Sequence, residues 1–449
     1  MSLPSLIQKF LSPFASAFTQ PSWERFAFLV VAAILTTGSR TISNMTRTLS
    51  CLGFGHSSSF HRLLSHRKWE TWKLSYILSA LIISTFYDVD TPIRIVGDDT
   101  VDGHRGKKVY GKARHRDAVR SSRSYTAFRY GHKWVVLTVI VQLPFSKRPW
   151  ALPCLIALYR SEKDNKILGI RHKTPPEIMR QLLLQLMRWF PDRKFIFSGD
   201  SGFSTFEIAQ LAHNSPGKLT LVGKFHANAN LHAPAPRKSY SYKGGRPEVN
   251  GRKLPSPKEV VRSTKYFTPL IVNWYGGGVR RVEVTVGTGI WTRNRKRIPL
   301  KWVYVRDLTG THRDEYFYTT DVALVPQEII EIYTGRWSIE TTFQEMRSYL
   351  GLESTRGRKK ETILRTAPSL FGLYSLVVLV YQQLPAIWKN QTGIQWVGKS
   401  DRTFSDLLTA VRRWLWFDWV FESLDKRGEL QQLRGKLRQT LMYCVAQAA

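Results

Sequence analysis

The segment IRIVGDDT, residues 93 to 100, is an apolar run that ends in two aspartates and a threonine. Its β-branched residues predict a buried strand, with Asp98 and Asp99 at the point where the strand ends. Neighbouring residues of a strand point to opposite faces, so only one of the two carboxylates can face a given site. An aspartate in this position is as often a turn or capping residue as a functional one.

The same pattern returns at KFIFSGDSGF, residues 194 to 203, where Asp200 ends a second apolar strand. From residue 93 to about 225, runs typical of strands alternate with amphipathic helical segments such as TPPEIMRQLLLQLMRWF and STFEIAQLAHN. This alternation predicts an α/β core, a mixed sheet with flanking helices.

A third acid lies in YTGRWSIETTFQEMR, residues 333 to 347, which we expect to belong to one long helix. At about 100° per residue, four side chains fall within roughly 60° of one another beside the apolar face. They are Tyr333, Arg336, Glu340 and Arg347. Glu345 is expected on the far side, toward water. A solvated salt-bridge ladder is the commoner interpretation of this spacing, and a metal-ligating acid beside phosphate-binding cations is the alternative.

The charge of the chain points to a polyanionic partner. The 449 residues include 67 lysines and arginines against 33 acidic residues, a formal net charge of +34 spread along the whole length. With 43% hydrophobic residues the chain should be globular. Such a balance is typical of nucleic-acid binding.

Membrane and secretory classes find no support in the sequence. The apolar runs at 26 to 35 and 373 to 381 are shorter than the ~20 residues that a span needs, so we expect core helices and no membrane. The N-terminus lacks the pattern of a secretion signal, which favours the cytoplasm. Cys51, Cys154 and Cys444 are isolated, which excludes a thiolate zinc site and a disulfide framework.

Residues 1 to 85 are predicted to be helical. Two short helices, TISNMTRTL and SSSFHRLLS, are separated by CLGFGH, which suits a helix-turn-helix with a serine cluster capping its second helix. A plain helical hairpin is about as consistent. The end of the second helix carries a basic cluster suited to phosphate contact, His61, Arg62, His66, Arg67 and Lys68.

Residues 226 to 310 combine prolines, glycines and alternating β-branched residues, which predicts a loop and a small antiparallel sheet inserted into the core. Trp291 is the candidate to hold a flipped base, because four basic residues follow it, Arg293, Arg295, Lys296 and Arg297. Trp274 precedes a turn-like GGG instead. Core packing is the commoner role for any one of the 15 tryptophans.

Together these residues resemble the insertion-sequence transposases of the DDE superfamily. The third acid of that family sits in a Y-x2-R-x3-E-x6-K signature, matched here by Tyr333, Arg336 and Glu340, with Arg347 replacing the lysine. The resemblance favours Asp99 before Thr100 as the first acid, and the second matches Asp200. Arg347 retains the charge of the family's DNA-contacting lysine but changes its donor geometry.

The resemblance covers roughly residues 90 to 350 and implies a ribonuclease-H-like core. It also implies that Asp99, Asp200 and Glu340 bind two Mg²⁺ ions, for which Mn²⁺ can substitute, and that the enzyme cleaves and joins double-stranded DNA as a homodimer on paired transposon ends. A nucleoid-associated location in a prokaryote would follow. The expected regions are a helical DNA-binding domain at 1–85, core segments at 86–225 and 311–360 around the insertion at 226–310, and a helical region at 361–449.

Three other functions remain open from the sequence. The GDSG motif resembles a serine-protease nucleophile loop, but Phe203 follows it where a second glycine would be expected, and a helix comes next. A transposase-derived DNA-binding protein without catalysis would not need all three acids. A nuclease of the same fold would cut DNA without joining it.

Overall fold

The computed structural model describes residues 3–52, 55–117, 120–122, 124–235, 251–390, 397–422 and 445. One mixed sheet runs through these residues, and helices cover it. Its strands are β1 (Ile93–Gly103), β2 (Ala113–Arg116), β3 (Phe128–Val141), β4 (Trp150–Tyr159), β5 (Phe195–Gly199), β6 (Leu219–Lys224), β7 (Leu231–His232), β8 (Thr268–Asn273), β9 (Val279–Arg293), β10 (Lys296–Asp307) and β11 (Glu315–Thr319).

The helices lie before, between and after these strands. They are α1 (Ser5–Leu11), α2 (Gln20–Leu35), α3 (Ile42–Thr48), α4 (Ser57–Ser65), α5 (Thr71–Phe86), α6 (Glu162–Ile167), α7 (Pro175–Trp189), α8 (Phe206–His213), α9 (Pro257–Ser263), α10 (Pro326–Gly335), α11 (Ser338–Tyr349), α12 (Lys360–Gln383), α13 (Ala386–Lys389) and α14 (Phe404–Leu415). Shorter 3₁₀ or π turns occupy Ser12–Ala17, Ser50–Leu52, Tyr275–Gly277, Leu352–Ser354 and Trp416–Phe421.

The centre of the sheet has the strand order β4-β3-β1-β5-β6. The pairs β1–β3 and β3–β4 are antiparallel, whereas β5 and β6 run parallel to β1. The expected ribonuclease-H-like core is confirmed. Gly131, His132 and Lys133 continue the β1–β3 ladder, so β3 is one unbroken strand from Phe128 to Val141.

The strands of the β-rich insertion extend the central sheet. β11 pairs with β6 on one side and β10 on the other, and β10 pairs with β9. The antiparallel strands predicted for the insertion are present, and they join the central sheet because the returning strand β11 carries the β9–β10 hairpin onto the open edge at β6. Residues 236–250 of this region lie outside the described residues.

The N-terminal and C-terminal helices form one packed layer. On α12, Arg365 donates to the carbonyl oxygens of Leu64, at 3.1 Å, and of Trp69, at 3.0 Å. On α14, Arg412 donates to those of Ile34, at 2.6 Å, and of Thr36, at 2.9 Å. Two buried guanidinium groups thus satisfy carbonyls at the ends of α2 and α4. The amphipathic segment at 428 to 447 lies outside the described residues, Val445 excepted.

The helix α12 is longer than the apolar run at 373 to 381 suggests. It has 24 residues and is the one helix of the described ranges long and apolar enough to cross a membrane by length and composition. The length argument against a span is therefore wrong for this segment. However, 78% of its apolar window is buried inside the protein, and its residues are part of the main hydrophobic core, which is typical of a core helix.

The segment around the third acid is two helices, not one. α10 ends at Gly335 and α11 begins at Ser338, with Arg336 and Trp337 at the break. A helical wheel that assumes one continuous helix therefore gives the wrong relative directions for side chains before and after the break.

Candidate active site

The two faces of β1 separate Asp98 from Asp99. On one face, Asp98 accepts a hydrogen bond from Arg336, and Thr100 accepts one from Arg347 on α11. The opposite face meets α7, since a Cβ added at Gly97 would lie 2.4 Å from the Met179 methyl carbon. Asp99 belongs to that second face by strand alternation.

The Asp99 carboxylate forms an ion pair with Lys133 of β3, at 2.9 Å. Burial raises the pKa of Asp99, and Lys133 opposes that shift. The geometry therefore favours Asp98, not the Asp99 suggested by the resemblance, as the partner of Glu340. The reason is that only Asp98 shares a face with α11.

Asp98 and Asp200 come from neighbouring parallel strands at the same level. Gly97 pairs with Gly199 in the β1–β5 register, and each aspartate is the next residue. The pKa of Asp98 is raised to about 7, mainly by burial and in smaller part by the negative charge of Asp200, while the Arg336 guanidinium opposes the shift. Two carboxylates that repel each other in a partly buried position favour a bound cation.

Arg336 connects the first acid to the third. Its guanidinium lies 3.2 Å from Oδ2 of Asp98 and 2.9 Å from Oε1 of Glu340. The Arg336 side chain is 10% exposed, whereas that of Glu340 is 47% exposed. The structure thus joins Asp98, Arg336 and Glu340 across 238 residues of sequence, with Asp200 beside Asp98.

Two residues of the predicted stripe, Tyr333 and Arg336, are buried, whereas Arg347 is exposed. Tyr333 is 3% exposed and packs on Phe317, with ring centroids 4.3 Å apart. It is therefore not at the surface, where a residue that contacts DNA would have to lie. Burial raises its pKa to about 12, and the Arg336 guanidinium lies 5.6 Å from its ring centre. Tyr333 therefore packs beside Arg336 inside the protein. Arg347, whose side chain is 36% exposed, lies 3.3 Å from Glu353.

The expectation that Glu345 faces water is wrong. Its carboxylate is 3.1 Å from Arg148 and accepts a 2.6 Å hydrogen bond from the Tyr374 hydroxyl. Burial raises its pKa, and Arg148 opposes that shift. Glu345 turns toward α12 because α11 lies between the sheet and that helix, so both sides of α11 are covered.

The donor chemistry of the site fits a divalent metal ion. Asp98, Asp200 and Glu340 offer the hard oxygen ligands that Mg²⁺ prefers. In Asp200, Oδ1 accepts from the Gly202 and Phe203 amides, whereas Oδ2 accepts no bond from the described residues. No three potential ligands among the described residues stand close enough to hold an ion together. Arg336, between Asp98 and Glu340, provides the positive charge there instead.

Trp291 is partly buried and packs against the hydrophobic core. Its ring meets Phe206, Phe225 and Tyr318 edge-on, at centroid distances of 5.0, 5.7 and 5.6 Å. The hypothesis that it holds a flipped base is therefore not supported by its surroundings. Trp337 has the exposed ring instead, at 39%, and lies three residues before Glu340 at the helix break.

The basic residues after Trp291 form the tip of the β9–β10 hairpin. Arg293 lies 3.0 Å from Glu207, and Lys296 donates to Gln210, at 2.9 Å. Both partners belong to α8, which comes directly after the Asp200 loop. Arg295, which has a positive φ, and Arg297 are exposed.

The candidate helix-turn-helix consists of α3 and α4, as predicted. The side chain of His56, not the serine cluster, caps α4 by accepting from the Ser58 amide. The basic cluster at the end of α4 is exposed throughout; it comprises His61, Arg62, His66, Arg67 and Lys68.

Comparison with known proteins identifies the family. The family described as DDE superfamily endonuclease matches residues 13–277, more than half of the chain. The chain belongs to this superfamily. A second family, described as archaeal transposase ISC1217, matches residues 283–386. No curated protein matches significantly. The chain is also similar to a piggyBac transposase seen in a cryo-EM structure of its synaptic complex with hairpin DNA. The match covers 97% of this chain and 80% of the piggyBac chain, at 13% identity and a TM-score of 0.41.

Membership of the DDE superfamily sets the class of chemistry. The chain is a DDE transposase, an enzyme that acts on DNA, and its superfamily generally uses divalent metal ions. Three features of the site escaped sequence reasoning, namely the Lys133 partner of Asp99, the bridging position of Arg336 and the exposure of Trp337. A helix-period analysis that allowed a break at Gly335 could have suggested the last two.

Proposed function

We propose that this chain is the transposase of an insertion sequence, which binds the terminal inverted repeats of its element and moves it by a Mg²⁺-dependent cut-and-paste reaction. The observation that carries the proposal is the contact of Arg336 with both Asp98 and Glu340, with Asp200 beside Asp98. This contact brings acids from two strands and one helix to one place on a strongly basic protein.

Asp98, Asp200 and Glu340 would hold the metal ions. When bound, Mg²⁺ favours deprotonation of the attacking oxygen and neutralises charge on the leaving one, and Mn²⁺ can take its place. Glu340 is the more exposed of the two carboxylates that Arg336 contacts, so it would be the one to exchange that contact for a metal ion. Arg336 would contact the scissile phosphate beside these acids, because a guanidinium can donate two parallel hydrogen bonds to a phosphate.

The DNA would be held by groups around these acids. Arg347 near the acids, and Arg295 and Arg297 at the hairpin tip further along the sheet, offer exposed cations. The cluster at the end of α4 would contact the terminal repeat, and two copies of the chain would hold the paired ends. The proposed location is the cytoplasm, on the nucleoid.

The test uses the full chain and labelled duplexes that carry the ends of its own element, with Mg²⁺, Mn²⁺ or chelator. We expect end-specific nicking and strand transfer into a second duplex, and loss of both for Asp98→Asn and Glu340→Gln. Binding without cutting would identify a DNA-binding derivative, and cutting without joining would identify a nuclease. A wild-type chain that distinguishes element ends from random DNA in none of these assays would contradict the proposal.

A further inference from the structure

A second basic feature lies beyond the acids, at the end of β1. It is an open cavity of about 890 Å³ where the loop before α3, the β1 end and the C-terminal end of α11 meet. We call it the basic cavity. Six cations line it, Arg40, Arg105, Lys112, Arg129, Arg347 and Arg356.

The basic cavity has far more positive than negative charge. Glu353 is the one carboxylate among its lining residues, and it lies 2.6 Å from Arg129 and 3.3 Å from Arg347. That single acid partly neutralises two of the six cations. Since like charges gathered around a cavity repel one another, the arrangement favours a polyanionic ligand.

Arg40 is the residue that most strongly indicates an anion-binding site. The residue is 4% exposed, and its Nη1 donates to the Gly38 carbonyl at 2.7 Å. Its Nη2 has no hydrogen-bond partner among the described residues. Burial lowers the pKa of Arg40 to about 10, and no carboxylate offsets this burial. A buried guanidinium without a counter-ion is costly, and an anion in the cavity would reduce that cost.

The rim of the basic cavity offers an aromatic face beside the cations. Tyr130 is 58% exposed, and the Lys112 ammonium lies 5.7 Å from its ring centre. The same pairing repeats one step along the β2–β3 ribbon, where the Arg114 guanidinium lies 3.7 Å from the ring centre of Phe128. Cations alternating with exposed aromatic rings are typical of surfaces that bind nucleic-acid strands.

We propose that the basic cavity binds phosphodiester groups of the DNA substrate at a second position, separate from the cleavage site. This inference rests on the proposed function and adds where the strand is held. Asp98 and Gly103, at the cavity, are five residue steps apart along β1, or about 16 Å at the usual strand rise. At about 3.4 Å per base pair, the contacted phosphates lie roughly five base pairs from the scissile one.

The test compares variants of exposed cavity cations with a matched control. Arg105→Ala and Arg356→Ala remove two exposed side chains, so folding is not at issue, whereas Arg40→Ala tests the buried one with a melting curve as a check. The control is Arg180→Ala on α7, at an exposed position on the sheet face opposite α11. Each protein is titrated with end duplexes over a range of salt concentrations.

We expect each exposed cavity variant to bind end DNA about tenfold more weakly, with the slope of log affinity against log salt smaller by about 0.9 for each lost contact. Neutral methylphosphonate linkages should weaken wild-type binding most at the cleavage site and about five base pairs from it. In the cavity variants, the second of these effects should disappear. Unchanged slopes in both variants, or a methylphosphonate effect confined to the cleavage site, would overturn the inference.

A further titration distinguishes DNA from a free anion. Inorganic pyrophosphate should compete with DNA only at millimolar concentration if the basic cavity holds a strand. If pyrophosphate instead stabilises the wild type strongly and the cavity variants bind DNA normally, the cavity is a free-anion site and the inference falls. Cleavage of end DNA by the wild type in the same preparation tests the proposed function separately from the inference about the basic cavity.

Discussion

Glu340 and Glu345 lie five residues apart on α11 and have opposite surroundings. The Glu340 side chain is 47% exposed beside Arg336, whereas that of Glu345 is 10% exposed between Arg148 and Tyr374. We therefore expect Glu340→Gln to abolish cleavage with little change in the free energy of unfolding. Glu345→Gln should lower that free energy by about 3 kcal/mol, because it leaves Arg148 buried without its partner.

Chemical denaturation and a cleavage assay of the same preparations check this pair. Cleavage by Glu345→Gln should scale with its folded fraction, and full activity should return under stabilising conditions. A folded Glu345→Gln protein that cannot cut, together with an active Glu340→Gln protein, would reverse the assignment of the third acid.

The two aspartates of β1 should also behave differently. Asp98→Asn should reduce cleavage by about 10³-fold or more, because metal ions supply several kcal/mol of transition-state stabilisation through their ligands. Asp99→Asn leaves Lys133 without its ion pair but keeps the Asp98 face intact, so we expect at most a tenfold loss. A second readout is the melting temperature, which Mg²⁺ should raise for the wild type and Asp99→Asn but not for Asp98→Asn. Equal effects of both substitutions on metal response would contradict the choice of Asp98.

Trp337 and Trp291 offer a test of which aromatic ring contacts DNA. Trp337→Ala removes an exposed ring and should leave stability unchanged while weakening DNA binding by roughly 1 to 3 kcal/mol, the contribution of one stacked base. Trp291→Ala removes a ring packed against three others and should cost about 3 to 5 kcal/mol of folding stability. Fluorescence-monitored unfolding and DNA titration separate the two effects. Normal DNA affinity and complete excision by Trp337→Ala would leave this surface without an aromatic role.

Asp307, at the end of β10, gives a pH-dependent prediction. Burial alone would raise its pKa, but hydrogen bonds from Thr309 and the His312 amide, together with Arg280, hold the pKa of this carboxyl well below its usual range. A lowered pKa stabilises the fold above the unfolded value of about 3.9, and the stabilisation is lost as the pH falls below it. Asp307→Asn should therefore lose about 1 to 3 kcal/mol at pH 7 and progressively less toward pH 2.

Denaturant titrations at both pH values measure this difference. Asp192→Asn, at an exposed position, is the matched control and should change stability by less than about 0.5 kcal/mol at either pH. A constant difference between wild type and Asp307→Asn over the pH range would show that the carboxylate charge is not what stabilises the turn.

The local sequence pattern predicted those helices and strands whose buried faces follow from the spacing of their own apolar residues. The run IRIVG gives β1, and the run SSSFHRLLS gives α4 with the predicted bounds. The capping box at Thr174 and Glu177 likewise begins α7 where the Thr-Pro-Pro segment indicates. In these segments side-chain periodicity and burial agree, so the sequence is sufficient.

What the sequence could not predict depends on partners distant along the chain. The direction of Asp98 depends on which helix covers each face of β1, and the burial of Glu345 depends on Tyr374. The sequence does not indicate the break at Arg336, because the residues on both sides of it keep a helical spacing of apolar side chains although the backbone forms two helices. The joining of β10 to the central sheet depends on β11 finding the free edge of β6, which no local signal records.

The arginines that donate hydrogen bonds to the ends of α2 and α4 are synthesised long after those helices. The carbonyls of Ile34 and Thr36 receive their hydrogen bonds from Arg412, and those of Leu64 and Trp69 from Arg365. At translation rates of about 5 to 20 residues per second, the ribosome reaches Arg412 roughly 20 to 75 s after Thr36. The N-terminal helices therefore leave the ribosome well before Arg412 is available, and the carbonyls at the end of α2 receive these hydrogen bonds only after α14 has been made.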